Sequence, residues 1–267
     1  MTAPTRPAAA KVLASIGLAV LTCAFFAAMD TTSQFVVLAG VPVVVGAWGR
    51  YVCQSLLTTA VVLPLRGRRV LHTRHLPFQL LRGGLLVTGT LLFFISLKYM
   101  QVGELTAIIL LAPVVVTLAG PALFKERVTP SRWALVLTAF AGTLIIIRPG
   151  GSNFSWVMLL PLAQAVVNAA FQLVTSKLAR TEDPLTMHFY TGWIGAIVLT
   201  LALPYAWTVS PTPGLWLLIA LMGIFGGIGH FVLILAFRHV AASTLMPYMY
   251  SQIGFAVLFG WLVRGHV

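Results

Sequence analysis

The chain has 267 residues, 59% of them hydrophobic and 8% charged, with a mean hydropathy of +0.98. Those proportions exclude a soluble domain and fit an all-α polytopic membrane protein. The formal charge of +12 then reads as membrane topology, and no nucleic acid is expected as a partner.

In chain order, the apolar runs predict spans at 13–38, 43–65, 77–97, 103–124, 131–147, 155–178, 185–206, 213–236 and 241–262. Each is near the ~20 residues a bilayer needs. Residues 1–10 hold prolines and no apolar core, so they read as a short cytosolic tail and not a cleaved signal peptide. Short Pro- and Gly-marked connections leave no room for a soluble domain. Cys23 and Cys53 lie inside apolar runs and read as packing residues without a disulfide. If the N-terminus is cytosolic, 13 of the 17 Lys and Arg fall on the inner side, which sets the expected orientation.

The chain also repeats itself. Leu97-Lys98-Tyr99-Met100 with Gly103-Glu104-Leu105 matches Phe237-Arg238-His239-Val240 with Ser243-Thr244-Leu245, 140 residues on. After one residue is dropped, Ala112-Pro113-Val114 falls opposite Ser251-Gln252-Ile253. The expected domains are a first repeat over 1–150 and a second over 151–267. An odd number of spans in the first repeat starts the second on the other side of the membrane, which inverts it. The sequence stops at Val267 after nine spans, so the natural protein is expected to continue through a tenth. The predicted fold is an inverted repeat of five plus five transmembrane helices.

The Gly103-Glu104 entry to the fourth span, its Lys125-Glu126-Arg127-Val128-Thr129-Pro130 exit and the weaker echo over Gly260–Val267 resemble the EamA-type drug/metabolite transporter superfamily. Within that superfamily the chain looks most like the YddG-type exporters of aromatic amino acids and paraquat, on overall resemblance and not on a diagnostic motif. The resemblance covers nearly the whole chain. It implies ten helices around a central cavity, with alternating access from the two faces. The second copy departs from the pattern with Gly265-His266 where the family often keeps Gly-Glu.

Polar groups deep in hydrocarbon are costly, which makes them candidate site residues. Asp30 is the one acid far inside a span, and Gln34 follows on the same helical face. At an offset of 138, Asn168 stands opposite Asp30 and Gln172 opposite Gln34. These four could form a shared midplane site; the other reading of Asp30 is a cap or kink near Thr31-Thr32-Ser33. His230, in a Gly-rich stripe, and its repeat partner Thr90 either face the cavity or hydrogen-bond between helices. Thr244, Tyr248 and Gln252 recur at i, i+4 and i+8 in the last span, an aromatic and amide stripe suited to a planar amphiphile, with Pro247 breaking the ladder. The candidate substrate-binding set is thus Asp30, Gln34, Thr90, Asn168, Gln172, His230, Tyr248 and Gln252.

Arg50 is the clear cation within a span, expected to snorkel outward or pair with Asp30, so anionic substrates are disfavoured. Glu104 is expected near a helix dipole or against Lys98. No paired carboxylates, metal-ligand spacing, nucleophile elbow or phosphate loop occurs, so the chain is not read as an enzyme and no cofactor or metal is expected. The expected function is export of small amphiphilic metabolites, aromatic amino acids and paraquat-like compounds, across a bacterial inner membrane by a monomer. Proton-coupled antiport of drug cations through Asp30 is the alternative within transport. A non-transporting scaffold or an intramembrane enzyme would leave the paired midplane polar groups without a purpose.

Overall fold

The structure, a computed structural model, describes residues 9–124, 128–147 and 156–264. All regular structure in these residues is helical. The long helices are α1 (Ala9–Leu38), α2 (Val43–Arg66), α3 (Leu76–Ser96), α6 (Pro130–Ile147), α7 (Leu159–Leu178), α8 (Pro184–Ala206) and α9 (Pro213–Phe237). Two predicted spans are each broken in two, into α4 (Val102–Ile109) with α5 (Ala112–Phe124), and α10 (Ala242–Met249) with α11 (Ser251–Arg264). Among the described residues six helical runs are long and apolar enough to cross a bilayer, α4 and α5 counting as one. This is a multi-pass membrane protein.

Local sequence explains where the helices begin and break. Prolines at the first turns of α3, α8 and α9 sit where a missing N–H costs nothing. The turn between α1 and α2 places Gly40 at φ +81°, a left-handed conformation open to glycine. Pro113 cannot donate to the carbonyl of Ile109, and the ladder breaks just before it, over Leu110 and Leu111. In the second half the break falls on Tyr250 alone. The residue that must be dropped to align the two halves is therefore lost from the break itself.

Helix packing follows an exchange rule. α1 packs on α9 and α7 on α3; α1 packs on α11 and α7 on α5; α2 packs on α9 and α8 on α3; α2 packs on α8. Swapping α1–α5 for α7–α11 leaves these pairs unchanged, which is what a two-fold axis does. With α2 (24 residues) and α6 (18 residues) counted as spans beside the more apolar runs, five crossings separate α1 from α7, so the two run in opposite directions and the axis lies in the membrane plane. The crossings close on glycines: a Cβ at Gly195 would enter the Tyr51 ring, and one at Gly223 would come within 2.8 Å of the Arg50 carbonyl oxygen.

The bundle has a basic end, where α2 meets α3 and α7 meets α8. There Glu182 accepts from the Thr73 hydroxyl at 2.6 Å and from the Gln79 side chain at 3.4 Å, and Arg66 pairs with Asp183 at 3.6 Å. Above this polar seal lies an apolar cluster that includes Val116, Phe171, Phe237, Leu245 and Met246.

Candidate functional site

Near the middle of the bundle the helices part around a cavity of about 880 Å³, the space at its mouth included. Asp30, Thr90, Asn168, Gln172, His230 and Gln252 all line it, so six of the eight sequence candidates meet at one place. α1, α3, α7, α9 and α11 each bring one or two of them.

The other two candidates lie elsewhere. Gln34 is buried one helical turn beyond Asp30 and does not line the cavity. Tyr248 is 38% exposed and faces away. The i, i+4, i+8 stripe presumes one continuous helix, and the break at Tyr250 rotates α11 relative to α10, so that Gln252 points inward while Met249, not Tyr248, lines the wall.

Asp30 is not a cap. α1 continues through it to Leu38, and the hydroxyls of Thr31, Thr32 and Ser33 bond back to the carbonyls of Ala27, Ala28 and Met29. Its carboxylate is buried and accepts from Nε2 of Gln252 at 2.9 Å.

Arg50 departs from both expectations. It is 3% exposed, neither snorkelling to an interface nor paired with Asp30. Its Nη1 donates to Thr90 Oγ1 at 3.2 Å, and its Nη2 lies 3.4 Å from Nε2 of His230. The guanidinium also rests over the Tyr51 ring, 5.0 Å from its centroid, and the Tyr51 hydroxyl meets Thr90 Oγ1 at 3.0 Å. Among the described residues no carboxylate approaches it within the 4.0 Å of an ion pair. The cavity wall therefore carries one carboxyl group and one guanidinium at separate stations, and anionic groups are less disfavoured than the sequence pattern suggests.

Sequence reasoning also misses Arg82, which it counts only among the inner-side cations. The residue is fully buried in α3, donating to the hydroxyls of Thr175 and Thr191 and to the carbonyl of Met187. Its guanidinium stacks 5.2 Å from the centroid of Phe171, whose edge in turn meets His230 at 5.6 Å. Phe171 lines the cavity with Phe26 and Phe93, so Arg82 lies just beneath the cavity on the side of the basic end. Gln164, also on the wall, carries a signal in the sequence: Gln164, Asn168 and Gln172 follow at i, i+4 and i+8. Glu104 is exposed in the first turn of α4 and makes no ion pair with Lys98. Among the described residues no three His, Cys, Asp or Glu converge to hold a metal ion.

A cavity of aromatic rings with a few convergent polar groups, enclosed by two inverted sets of helices, is the layout of a membrane carrier. The sequence profile of the EamA-like transporter family matches the chain twice, over residues 13–148 and 155–266. The chain belongs to the EamA-like transporter family. Among similar proteins, this family member is 27% identical to a riboflavin transporter of Brucella anthropi over 250 residues, 91% of this chain and 88% of that one. It is 29% identical to a riboflavin transporter of Vibrio cholerae over 91% of this chain and 82% of that one. An S-adenosylmethionine uptake transporter of Rickettsia bellii is 25% identical over 77% of this chain and 72% of that one. A solved crystal structure superimposes with a TM-score of 0.75 at 20% identity, over 97% of this chain and 89% of that one, a likeness of fold. None of these relatives carries the name of an aromatic amino acid exporter. The EamA-like chain is thus a small-molecule transporter.

Proposed function

We propose that this EamA-like transporter moves a neutral, planar heteroaromatic metabolite of the flavin class across the bacterial cytoplasmic membrane. The observation that carries the reading is the composition of the cavity wall. Three phenylalanines, Phe26, Phe93 and Phe171, offer ring faces, while Asp30 and Arg50 contribute one charge of each sign at separate stations. Such a wall suits an uncharged ring system with both donor and acceptor edges. Two relatives named riboflavin transporters, each aligned over 91% of the chain, support it.

Residues 1–150 and 151–267 act as the two inverted repeats, rocking about the cavity as a monomer with the N-terminus in the cytosol. The distribution of Lys and Arg supports that orientation. In this structure the cavity is shut off from the basic end by Phe171, the Arg82 cluster and the Glu182 bonds.

A second reading, aromatic amino acids, draws on the same two charges, since Asp30 could hold an ammonium group and Arg50 a carboxylate. Transport in proteoliposomes decides between them. Riboflavin, phenylalanine, S-adenosylmethionine and a paraquat-like dication are compared, with and without a proton gradient. Riboflavin flux that unlabelled phenylalanine does not compete with supports the first reading. Phenylalanine flux without riboflavin flux replaces it with the second.

A further inference from the structure

Four of the five partnerless polar atoms of the cavity separate by type and by helix; the fifth, the Thr106 hydroxyl on α4, can donate or accept. Arg50 has only N–H groups to offer, so the Nε2 of His230 that faces it is an acceptor, and the ring proton of a neutral imidazole sits on Nδ1. That Nδ1–H is buried without a partner, and so is the Nε–H of Arg50. α2 and α9 therefore present two unused donors. On α7 the unused atoms are acceptors, Oε1 of Gln164 and Oε1 of Gln172. The amide nitrogen of Gln172 is committed to Asn168 Oδ1 at 3.3 Å, which leaves its oxygen as the free end.

Buried polar atoms are ordinarily paired, and these four unpaired ones belong to residues that border one cavity. The Arg50 donor packs close against α9: a Cβ at Gly226 would stand 2.8 Å from Sδ of Met29 and 3.2 Å from Nε of Arg50, so glycine is what admits the guanidinium there.

We infer that this division is the specificity device of the cavity, an assignment that rests on the flavin reading above. Arg50 and His230 donate to the carbonyl and ring-nitrogen edge of the heterocycle. Gln164 and Gln172 accept from the hydroxyls of a polyol side chain attached to it. The ligand class is a planar acceptor-edged ring bearing a polyhydroxylated tail, with the ring read by α2 and α9 and the tail by α7.

Two probes separate the stations: riboflavin, which has both parts, and lumiflavin, which has the ring and no polyol. Binding is read by quenching of flavin fluorescence on the purified full chain. Arg50→Gln is expected to weaken both ligands by the same factor, tenfold or more, with Arg50→Lys recovering part of it. Gln164→Ala and Gln172→Ala are expected to weaken riboflavin severalfold and leave lumiflavin within twofold. Should Arg50→Gln fail to fold, Gly226→Ala carries the same test, because it crowds the guanidinium without removing its charge. Lumiflavin weakened as much as riboflavin by the α7 variants, or spared by Arg50→Gln and Gly226→Ala, overturns the division while leaving the flavin reading in place. If the unaltered chain binds neither flavin, both fall.

Discussion

The side chain of Gln252 donates to the carboxylate of Asp30 at 2.9 Å, across 222 residues of sequence, and so fastens the broken last span to the first. α11 begins at Ser251, immediately after the break, so this bond sits at the joint between α10 and α11. It also fixes the orientation of the one acid in the cavity.

Removing either partner should have different consequences. Gln252→Ala leaves a buried carboxylate oxygen without its donor, at a cost of about 1.5–3 kcal/mol. A clear fall in melting temperature is expected. Asp30→Asn keeps an oxygen that accepts the same bond, so the melting temperature should stay near that of the unaltered chain while the charge of the cavity rises by one. Melting curves of the two purified variants check this; equal losses would mean that the bond holds the joint only when its acceptor is charged.

His230 tests which ring nitrogen does what. A glutamine places its amide near the Nε2 position and an asparagine near Nδ1. His230→Gln should therefore keep an acceptor for Arg50 and preserve stability, while losing the donor that faces the cavity. His230→Asn should show the reverse pattern, an Arg50 left short of one acceptor and a ligand contact retained. Paired melting and ligand-binding measurements separate the two. Binding lost in His230→Asn with stability intact would contradict the assigned tautomer.

Much of this arrangement is legible in the amino-acid sequence, and the failures have identifiable causes. Span positions follow from hydropathy because a bilayer demands long uninterrupted apolar runs. Asp30, Asn168, Gln172, Thr90 and His230 are visible because polar groups in hydrocarbon stand out and the duplication pairs them. Tyr248 is misplaced because periodicity assumes an unbroken helix, and Pro247 signals a disturbance without telling how far the next segment turns. Arg50 is misread because its neutral partners, Thr90 and His230, come from α3 and α9 and share no sequence pattern with it. Arg82 lies six residues into α3, where a cation near a span end looks like an interface anchor; its burial depends on hydroxyls supplied by α7 and α8.

Arg82 closes the basic end without a carboxylate, and this makes an asymmetric prediction. Thr175 and Thr191 also donate back to the carbonyls of Phe171 and Met187, so their hydroxyls remain satisfied when the guanidinium is removed. Removing the hydroxyls instead leaves charged N–H groups buried and unpaired. Thr175→Val with Thr191→Val should therefore destabilise more than Arg82→Met, by about 1–3 kcal/mol, because a buried charge is replaced more safely than it is orphaned. Cys23 serves as a native reporter of the seal. It is fully buried in the same apolar cluster, with its Sγ 3.4 Å from the carbonyl of Met249. In a Cys53→Ser background a permeant maleimide should leave the closed protein unlabelled and label it when Arg82→Met loosens the basic end. Unchanged protection of Cys23 would show that Arg82 does not hold the seal.

The glycines at the helix crossings provide a test of the packing itself. At Gly223 an added methyl would stand 2.7 Å from Cβ of Cys53 and 2.8 Å from the carbonyl oxygen of Arg50. A backbone atom cannot swing aside, so α2 and α9 must separate to admit it. Overpacking of this kind costs about 1–3 kcal/mol, and here it also shifts Arg50 in the cavity wall. Gly84, inside α3, has no neighbour within 4 Å of the same added atom. Gly84→Ala should then raise stability by about 0.4–1 kcal/mol through the loss of conformational freedom in the unfolded chain. The pair differs only in its neighbours, so opposite shifts in melting temperature, with ligand binding lost for Gly223→Ala alone, are expected. Equal effects at the two positions would mean that α2 and α9 do not cross as closely as the Arg50 station requires.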